Sequence, residues 1–344
     1  MIAVLGECVA DAFADRRPGV EDPRSGAEPS RLGAEPSGVG AEAPRPGGDA
    51  ARSAGLGLRV FPGGGPANTA VALARLGGRT RFFGRISGDV FGGLFREHLA
   101  ASGVDLSGCV DAAEPSTLAV ASLDEHGQAG YRFYAEGAAD WRWSPAELGS
   151  RDLSGVSCLH TGSLALVREP GRQAVEAFAA AAAERVTVSI DPNVRPSLAR
   201  RADYQVARWC GVADVLKLSD EDLAFLAPGE PVEQVCDAWH EAGARLIVVT
   251  KGASGALVSL AGARAEVAAP KVTVVDTVGA GDAFTAGLLH RLDERGLLGG
   301  RLDDLDLATA AEAASFAARV AALTCAVAGA DPPWAHQLTD TPPT

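Results

Sequence analysis

Lysine is nearly absent from this sequence. Only Lys217, Lys251 and Lys271 occur, so almost all positive charge is arginine. Acidic residues outnumber basic ones, 44 to 31, for a formal net charge of -13. Nucleic-acid partners normally require a basic face, so this balance argues against them. A long uncharged apolar run is also missing. The Ala-rich stretch 309–330 is interrupted by Glu312 and Arg319 and reads as a buried helix, not a membrane span. Met1 to Glu7 lacks a basic leader and carries only a brief apolar run, which predicts a strand and no secretion signal. The six cysteines include no Cys-x-x-Cys pair. That pattern fits free thiols in a reducing cytoplasm better than disulfides or zinc. No His-Glu-x-x-His array, Gly-x-Gly-x-x-Gly turn or P-loop string occurs, so the metalloprotease, dinucleotide and Walker-type routes are not indicated.

What remains is a chain of 344 residues, 47% of them apolar, enough for one large α/β domain. One stretch fits no core. From Arg16 to about Leu58 the chain is mostly Pro, Gly, Ala and Glu, with Gly-Ala-Glu-Pro-Ser at 26–30 and again at 33–37. Its prolines forbid a heptad helix, and it cannot bury enough to offset ordering entropy. The expectation for 16–58 is a disordered, low-complexity insertion. Only one strand precedes it, which argues against a linker between domains.

After Pro145 the pattern alternates. Ser157 to Thr161, Val186 to Asp191, Val215 to Leu218, Leu246 to Thr250 and Val272 to Asp276 read as apolar strands. Helical stretches such as Arg172 to Glu184 and Pro231 to Ala242 separate them. Such alternation predicts βαβ units and a parallel sheet covered on both faces. Earlier, Thr117 to Leu123 and Tyr131 to Tyr134 flank Asp124-Glu125-His126-Gly127, a hairpin signal. Trp141 and Trp143 follow, as packing residues in preference to stacking platforms.

Two glycine-rich loops carry the candidate chemistry. In Lys271 to Gly287 a β-branched run leads through Gly279-Ala280-Gly281-Asp282 into a helix bearing Phe284, Leu288, Leu289 and Leu292. Backbone so bare lets N–H groups approach an anion, and the helix start adds free donors and a positive dipole end. Asp282 in that turn could take a proton from a hydroxyl while the amides hold charge developing on a phosphoryl group. A tight turn with an N-cap would use the same four residues. The second loop, Gly63-Gly64-Gly65-Pro66-Ala67-Asn68, leads into a helix predicted over Asn68 to Leu76. There bare backbone and the Asn68 amide suit a polyol. Asp11 emerges at the end of the first strand region, on the side where α/β sheets bind ligands.

The string Asp276-Thr277-x-Gly279-Ala280-Gly281-Asp282-x-Phe284 resembles the second signature of the ribokinase (PfkB) family of sugar kinases. Residues 63–89, with Gly-Gly-x-x-x-Asn, a helix and a turn ending in Gly88-Asp89, resemble the first. The resemblance covers 1–15 and about 59–334, leaving 335–344 as a tail. It implies a ribokinase-like three-layer α/β/α fold with a mostly parallel central sheet. A small β-lid would come from strands near 8–15, 59–62, 80–84 and 116–135. It further implies a soluble cytoplasmic enzyme with a small-molecule sugar substrate, ATP as donor and Mg²⁺ as cofactor, and a homodimer formed through the lid.

Residue by residue, the resemblance makes Asp282 the general base and Gly279, Ala280 and Gly281 the anion hole. Asp11, Gly63, Gly64 and Asn68 would hold the sugar. Asn193, Arg195, Lys217, Ser219, Thr250, Gly252 and Gly255 would serve the nucleotide. Asp276 and Thr277 match positions that hold a monovalent cation such as K⁺. The family often has Asn-x-x-Glu where this chain has Ser219 and Asp222, so Asp222 or Glu221 is the candidate for Mg²⁺ through water. An arginine expected within 325–330 is missing. The strings Gly6-Glu7…Asp11, Asp191-Pro192-Asn193-x-Arg195-Pro196 and Ser219-Asp220-Glu221 look most like bacterial fructokinases. A 2-keto-3-deoxygluconate kinase is the alternative, with Arg132 or Arg168 as carboxylate partner. Another PfkB sugar or nucleoside kinase, or a catalytically silent sugar-binding regulator, ranks below these.

Overall fold

A computed structural model describes residues 1–14, 57–123 and 129–339. The first half of the chain builds β1 (Ile2–Leu5), β2 (Val9–Ala14), β3 (Leu58–Gly63), α1 (Gly65–Arg75), β4 (Thr80–Phe83), β5 (Arg85–Ser87) and α2 (Val90–Ala101). Then come β6 (Val110–Ala112), β7 (Thr117–Leu123), β8 (Ala129–Tyr134), α3 (Pro145–Gly149), β9 (Cys158–Gly162) and α4 (Arg172–Ala182). The second half continues with β10 (Thr187–Asp191), α5 (Val206–Cys210), β11 (Val215–Ser219), α6 (Asp220–Leu226) and α7 (Val232–Glu241). It ends with β12 (Leu246–Thr250), β13 (Ala256–Leu260), β14 (Ala263–Val267), α8 (Ala280–Glu294), α9 (Leu307–Cys325) and α10 (Ala335–Thr339).

Eight strands form the central sheet in the order β14-β13-β12-β11-β10-β9-β1-β4. From β4 to β12 all neighbours are parallel, and β13 and β14 close one edge as an antiparallel hairpin. The inner strands are apolar on both faces because each face is covered. Ile2 and Val4 of β1 pack with α1, α8 and α9, whereas Ala3 and Leu5 pack with α4, α5 and α7. Leu246 and Val248 of β12 divide from Ile247 and Val249 in the same way. That period-two split makes three layers from one sheet. The alanines of α9 do face the core: Ala310, Ala313, Ala314 and Ala317 are buried. A Cβ on Gly287 of α8 would lie 2.8 Å from Ala317 Cα, so small residues let these two helices cross closely. No helix of the described residues is long and apolar enough to cross a membrane.

A second sheet, in the order β3-β2-β7-β8, is the candidate lid. The stretch 80–84 is not part of it. As β4 it pairs in parallel with β1, Ile2 against Thr80 through Leu5 against Phe83, and its Phe82 and Phe83 are core residues. The expected strand 272–276 does not form. Val272, Val274 and Val275 are exposed, and Val275 N–H donates to the Cys325 carbonyl at 2.8 Å. The edge position belongs to the β13–β14 hairpin, whose turn uses Ala261 and Gly262 at φ 48° and 87°. The helix expected from Asn68 begins earlier, at Gly65, since Pro66 fits a first turn that needs no N–H there. Trp141 and Trp143 are buried packing residues, as expected. Part of the presumed tail is structured: α10 places Leu338 against the core. The insertion 16–58 and the turn 124–127 lie outside the described residues, apart from 57–58, where β3 begins.

Candidate active site

The site forms where the carboxyl ends of β1 and β10, the glycine run before α1 and the start of α8 meet. Each glycine of the run lacks a side chain for a nearby reason. A Cβ on Gly63 would strike the Asp11 carboxylate, and one on Gly64 would lie 2.6 Å from the Glu7 carbonyl. One on Gly65 would collide with the Asn193 amide and lie 3.1 Å from Asp282 Oδ1. Three segments distant in sequence, 7–11, Asn193 and Asp282, thus converge on three bare residues.

Asp282 is half-buried in the first turn of α8. The Asn68 amide donates to its Oδ2 at 2.9 Å, and Thr69 Oγ1 donates to its carbonyl at 3.4 Å. Burial pushes the Asp282 carboxyl up to about 6, against the Asn68 hydrogen bond and the Lys217 charge, which favour the anion. Asp11 is raised to about 6 as well, by burial and partly offset by Arg195. Gly279 precedes the helix at φ 77°, and no side chain caps the turn. Ala283 N–H, reaching Gly279 O at 2.8 Å, makes the first intrahelical bond, while Ala280 N–H turns to Thr277 O at 3.3 Å. Gly281 and Asp282 therefore present N–H groups with no intrahelical acceptor. A Cβ on Gly279 would lie 2.6 Å from Ala330 Cβ, so the segment after α9 packs directly behind this turn.

Arg195 stands among these groups, its backbone N–H held by Tyr204 Oη at 2.8 Å. Its charge bears on Glu7, Asp11 and Asp282 together. Lys217 is not an open cofactor contact. It is buried at 4% exposure and donates to Asp191 Oδ2 at 2.9 Å. Asp191 and Glu7, read only as parts of longer strings, carry no chemical role assigned from the sequence. Glu7 is 2% exposed, its Oε2 lacks a hydrogen-bond partner, and burial raises it to about 7. A signal existed in the sequence: Asp191 ends the apolar strand β10, and Glu7 comes two residues after the apolar strand β1.

The remaining expected residues occupy two flanks. Ser219 and Asp222 form a reciprocal capping box on α6, and Asp222 Oδ1 also accepts from Val194 N–H at 2.9 Å. Asp222 thereby ties the Asn193–Arg195 turn to β11, while Glu221 is exposed. Thr250 sits opposite Ser219 in register, and Gly252 and Gly255 shape the turn that follows, Gly255 closing against the Val267 carbonyl. Asp276 accepts from Val278 N–H at 3.1 Å and Gly329 N–H at 2.9 Å, with exposed Thr277 beside it. Among the described residues no three His, Cys, Asp or Glu side chains assemble into a metal cage. This donor set suits a hydrated divalent ion carried on a nucleotide, for which one or two carboxylates suffice.

A family model described as pfkB family carbohydrate kinase matches residues 50–337. The chain is 40% identical to a fructokinase of Rhizobium leguminosarum bv. trifolii over 247 residues, 70% of this chain and 74% of the relative. It is 38% identical to a Klebsiella pneumoniae fructokinase, over 69% of this chain and 78% of the relative. Among solved structures, fructokinase from Vibrio cholerae O395 with fructose, ADP and calcium matches with a TM-score of 0.71 at 30% identity, covering 96% of this chain and 94% of the other. Fructokinase from Xylella fastidiosa with bound ATP matches with a TM-score of 0.79 at 27% identity, covering 96% and 93%.

Proposed function

The chain belongs to the pfkB family of carbohydrate kinases, and from that membership we propose that it transfers the γ-phosphoryl group of ATP to a hydroxyl of fructose. The observation that carries this reading is the Asp282 carboxylate, held by Asn68 beside the uncapped start of α8. Asp282 takes the proton of the attacking hydroxyl, a role normally worth about 10²- to 10⁴-fold in rate. The freed oxygen attacks the γ-phosphorus in line. The Gly281 and Asp282 amides, with the dipole of α8, stabilise charge on the transferring group. Asp11, Gly63, Gly64 and Asn68 hold the sugar, and Asn193 and Arg195 meet the phosphates.

The nucleotide spans Ser219, Thr250, Gly252 and Gly255 in this reading. Mg²⁺ would be held through water by Asp222 or Glu221 and would neutralise phosphate charge. K⁺ would sit by Asp276 and Thr277. The lid, with Leu58, Phe61 and Tyr134 exposed, is the surface for a homodimer, which sedimentation at two concentrations would reveal. One observation favours an acidic sugar as second reading. Arg168 lines a cavity of about 670 Å³ beside Phe133 and Tyr134, and its Nε has no hydrogen-bond partner. Its guanidinium is, however, stacked over Trp141 and bonded to the Leu198 carbonyl. ADP release measured with fructose, ribose, 2-keto-3-deoxygluconate and adenosine tests the assignment. Fructose giving the highest kcat/KM supports it, and turnover confined to another acceptor overturns it.

A further inference from the structure

Beneath the α8 turn lies a charge pair that the proposed reaction does not use directly. Lys217 of β11 and Asp191 of β10 are both nearly inaccessible, at 4% and 6% exposure, and are joined by a 2.9 Å hydrogen bond. Asp191 is fixed on three sides. Its Oδ1 accepts from Asn193 N–H at 3.0 Å, and Thr285 Oγ1 lies 3.5 Å from its Oδ2. Thr285 also donates to the Gly281 carbonyl at 3.1 Å. The pair is thus built into the turn that carries Asp282.

Gly281 gives the second observation. A Cβ there would lie 3.0 Å from Lys217 Nζ, with no other atom within 4 Å. Gly281 does not need a left-handed backbone, since it is absent from the positive-φ glycines. The one atom outside its own turn that such a Cβ would meet is the Lys217 ammonium. Lys217 Nζ thus lies against the residue that directly precedes Asp282.

We propose that the Lys217–Asp191 pair is a positioning device for Asp282: the ammonium, admitted by the bare Gly281, keeps the base anionic at working pH. The proposal rests on Asp282 being the base. The charged and polar groups facing Asp282 are Asn68 and Thr69 from α1, Lys217 from β11, Asp191 from β10, Arg195 from the following loop and Asp11 from β2. Lys217 and Arg195 favour the carboxylate, and Asp191 and Asp11 oppose it. Within the pair the cation dominates, which agrees with the Lys217 charge outranking that of Asp191 at Asp282. Burial alone would lower the Lys217 ammonium, but Asp191, with the further charges of Asp282 and Asp222, more than compensates, so the cation persists.

The test is the acid limb of the kcat/KM–pH profile in three variants. Lys217→Met removes the favouring charge and moves the limb to higher pH by about one unit, tenfold in rate below it. Asp191→Asn leaves the ammonium held by the Asp282 and Asp222 charges, removes the opposing charge and moves the limb to lower pH. Gly281→Ala pushes Nζ away and moves the limb in the Lys217→Met direction with less change in KM for sugar than in kcat. Should Lys217→Met fail to fold because Asp191 is left unpaired, Asp191→Asn and Gly281→Ala still give opposite shifts. A limb that stays put in all variants, or shifts the same way in Asp191→Asn and Gly281→Ala, overturns the proposal. Near-normal turnover of Asp282→Asn would instead overturn the base assignment itself.

Discussion

Asn68 Nδ2 donates to Asp282 Oδ2 at 2.9 Å across 214 residues of sequence, joining α1 to the first turn of α8. The bond aims the carboxylate toward the glycine run and favours its ionised form. Asn68→Ala should therefore lower kcat by about tenfold or more, since a mis-aimed group forfeits much of its proximity advantage. The acid limb should rise at the same time. Steady-state kinetics across pH check both, and an unchanged limb would show that the amide serves the sugar alone.

The wild-type profile is itself a prediction. Asp282 and Asp11 are each raised to about 6 by burial, and each must be ionised to act as base or as hydroxyl acceptor. Initial rates should be flat above pH 7 and fall below about 6, steeper than one proton if both acids matter, with apparent constants belonging to the pair. Rates still maximal at pH 5 would contradict this.

Glu7 lets pH and stability be separated from catalysis. Its folded value of about 7 exceeds the ordinary 4.5 because of burial. A raised carboxyl holds its proton longer when folded, so its contribution is intact below pH 4.5 and is lost as pH climbs toward 7. Glu7→Gln should stabilise the protein above pH 7, by on the order of 3 kcal/mol, with little gain near pH 5. Urea unfolding at both pH values checks it, and an equal difference at both would refute it.

Arg75 at the end of α1 grips the segment behind the anion turn. It bonds Asp331 Oδ1 and the Pro332 carbonyl, reaches Ser102 at 3.2 Å and lies 5.2 Å from the Trp334 ring centroid. That segment gives Gly329 N–H to Asp276 and sets Ala330 against Gly279. Arg75→Met should lower kcat several-fold with little change in KM for sugar, alongside about 1 kcal/mol of stability. A fall in stability with kcat intact would confine Arg75 to a structural part.

The central strands β9 to β12 were legible because burial on both faces makes each a continuous apolar run. The run 271–275 misled for the same reason inverted: β-branching favours a pleated, half-buried surface, and here Val274 and Val275 find none. The hairpin that takes the edge was overlooked, although Ala261-Gly262 between alternating segments offered a turn signal. Asp282, Asn68 and the glycines stand out in the sequence because each lies in a short motif, and the fold brings the two motifs together. The Lys217–Asp191 pair does not stand out, since the two residues meet only because β10 and β11 pair, with Ile190 opposite Leu216 just before them. The capping box between Ser219 and Asp222 was not read from the sequence, although Ser-x-x-Asp at a helix start is its signal.

The most direct measurement of the whole account is Asp282→Asn assayed in parallel for phosphoryl transfer from ATP to fructose and for fructose binding by calorimetry. The account predicts turnover reduced by about 10²-fold or more, with binding changed only a few-fold. Turnover within tenfold of wild type would contradict it.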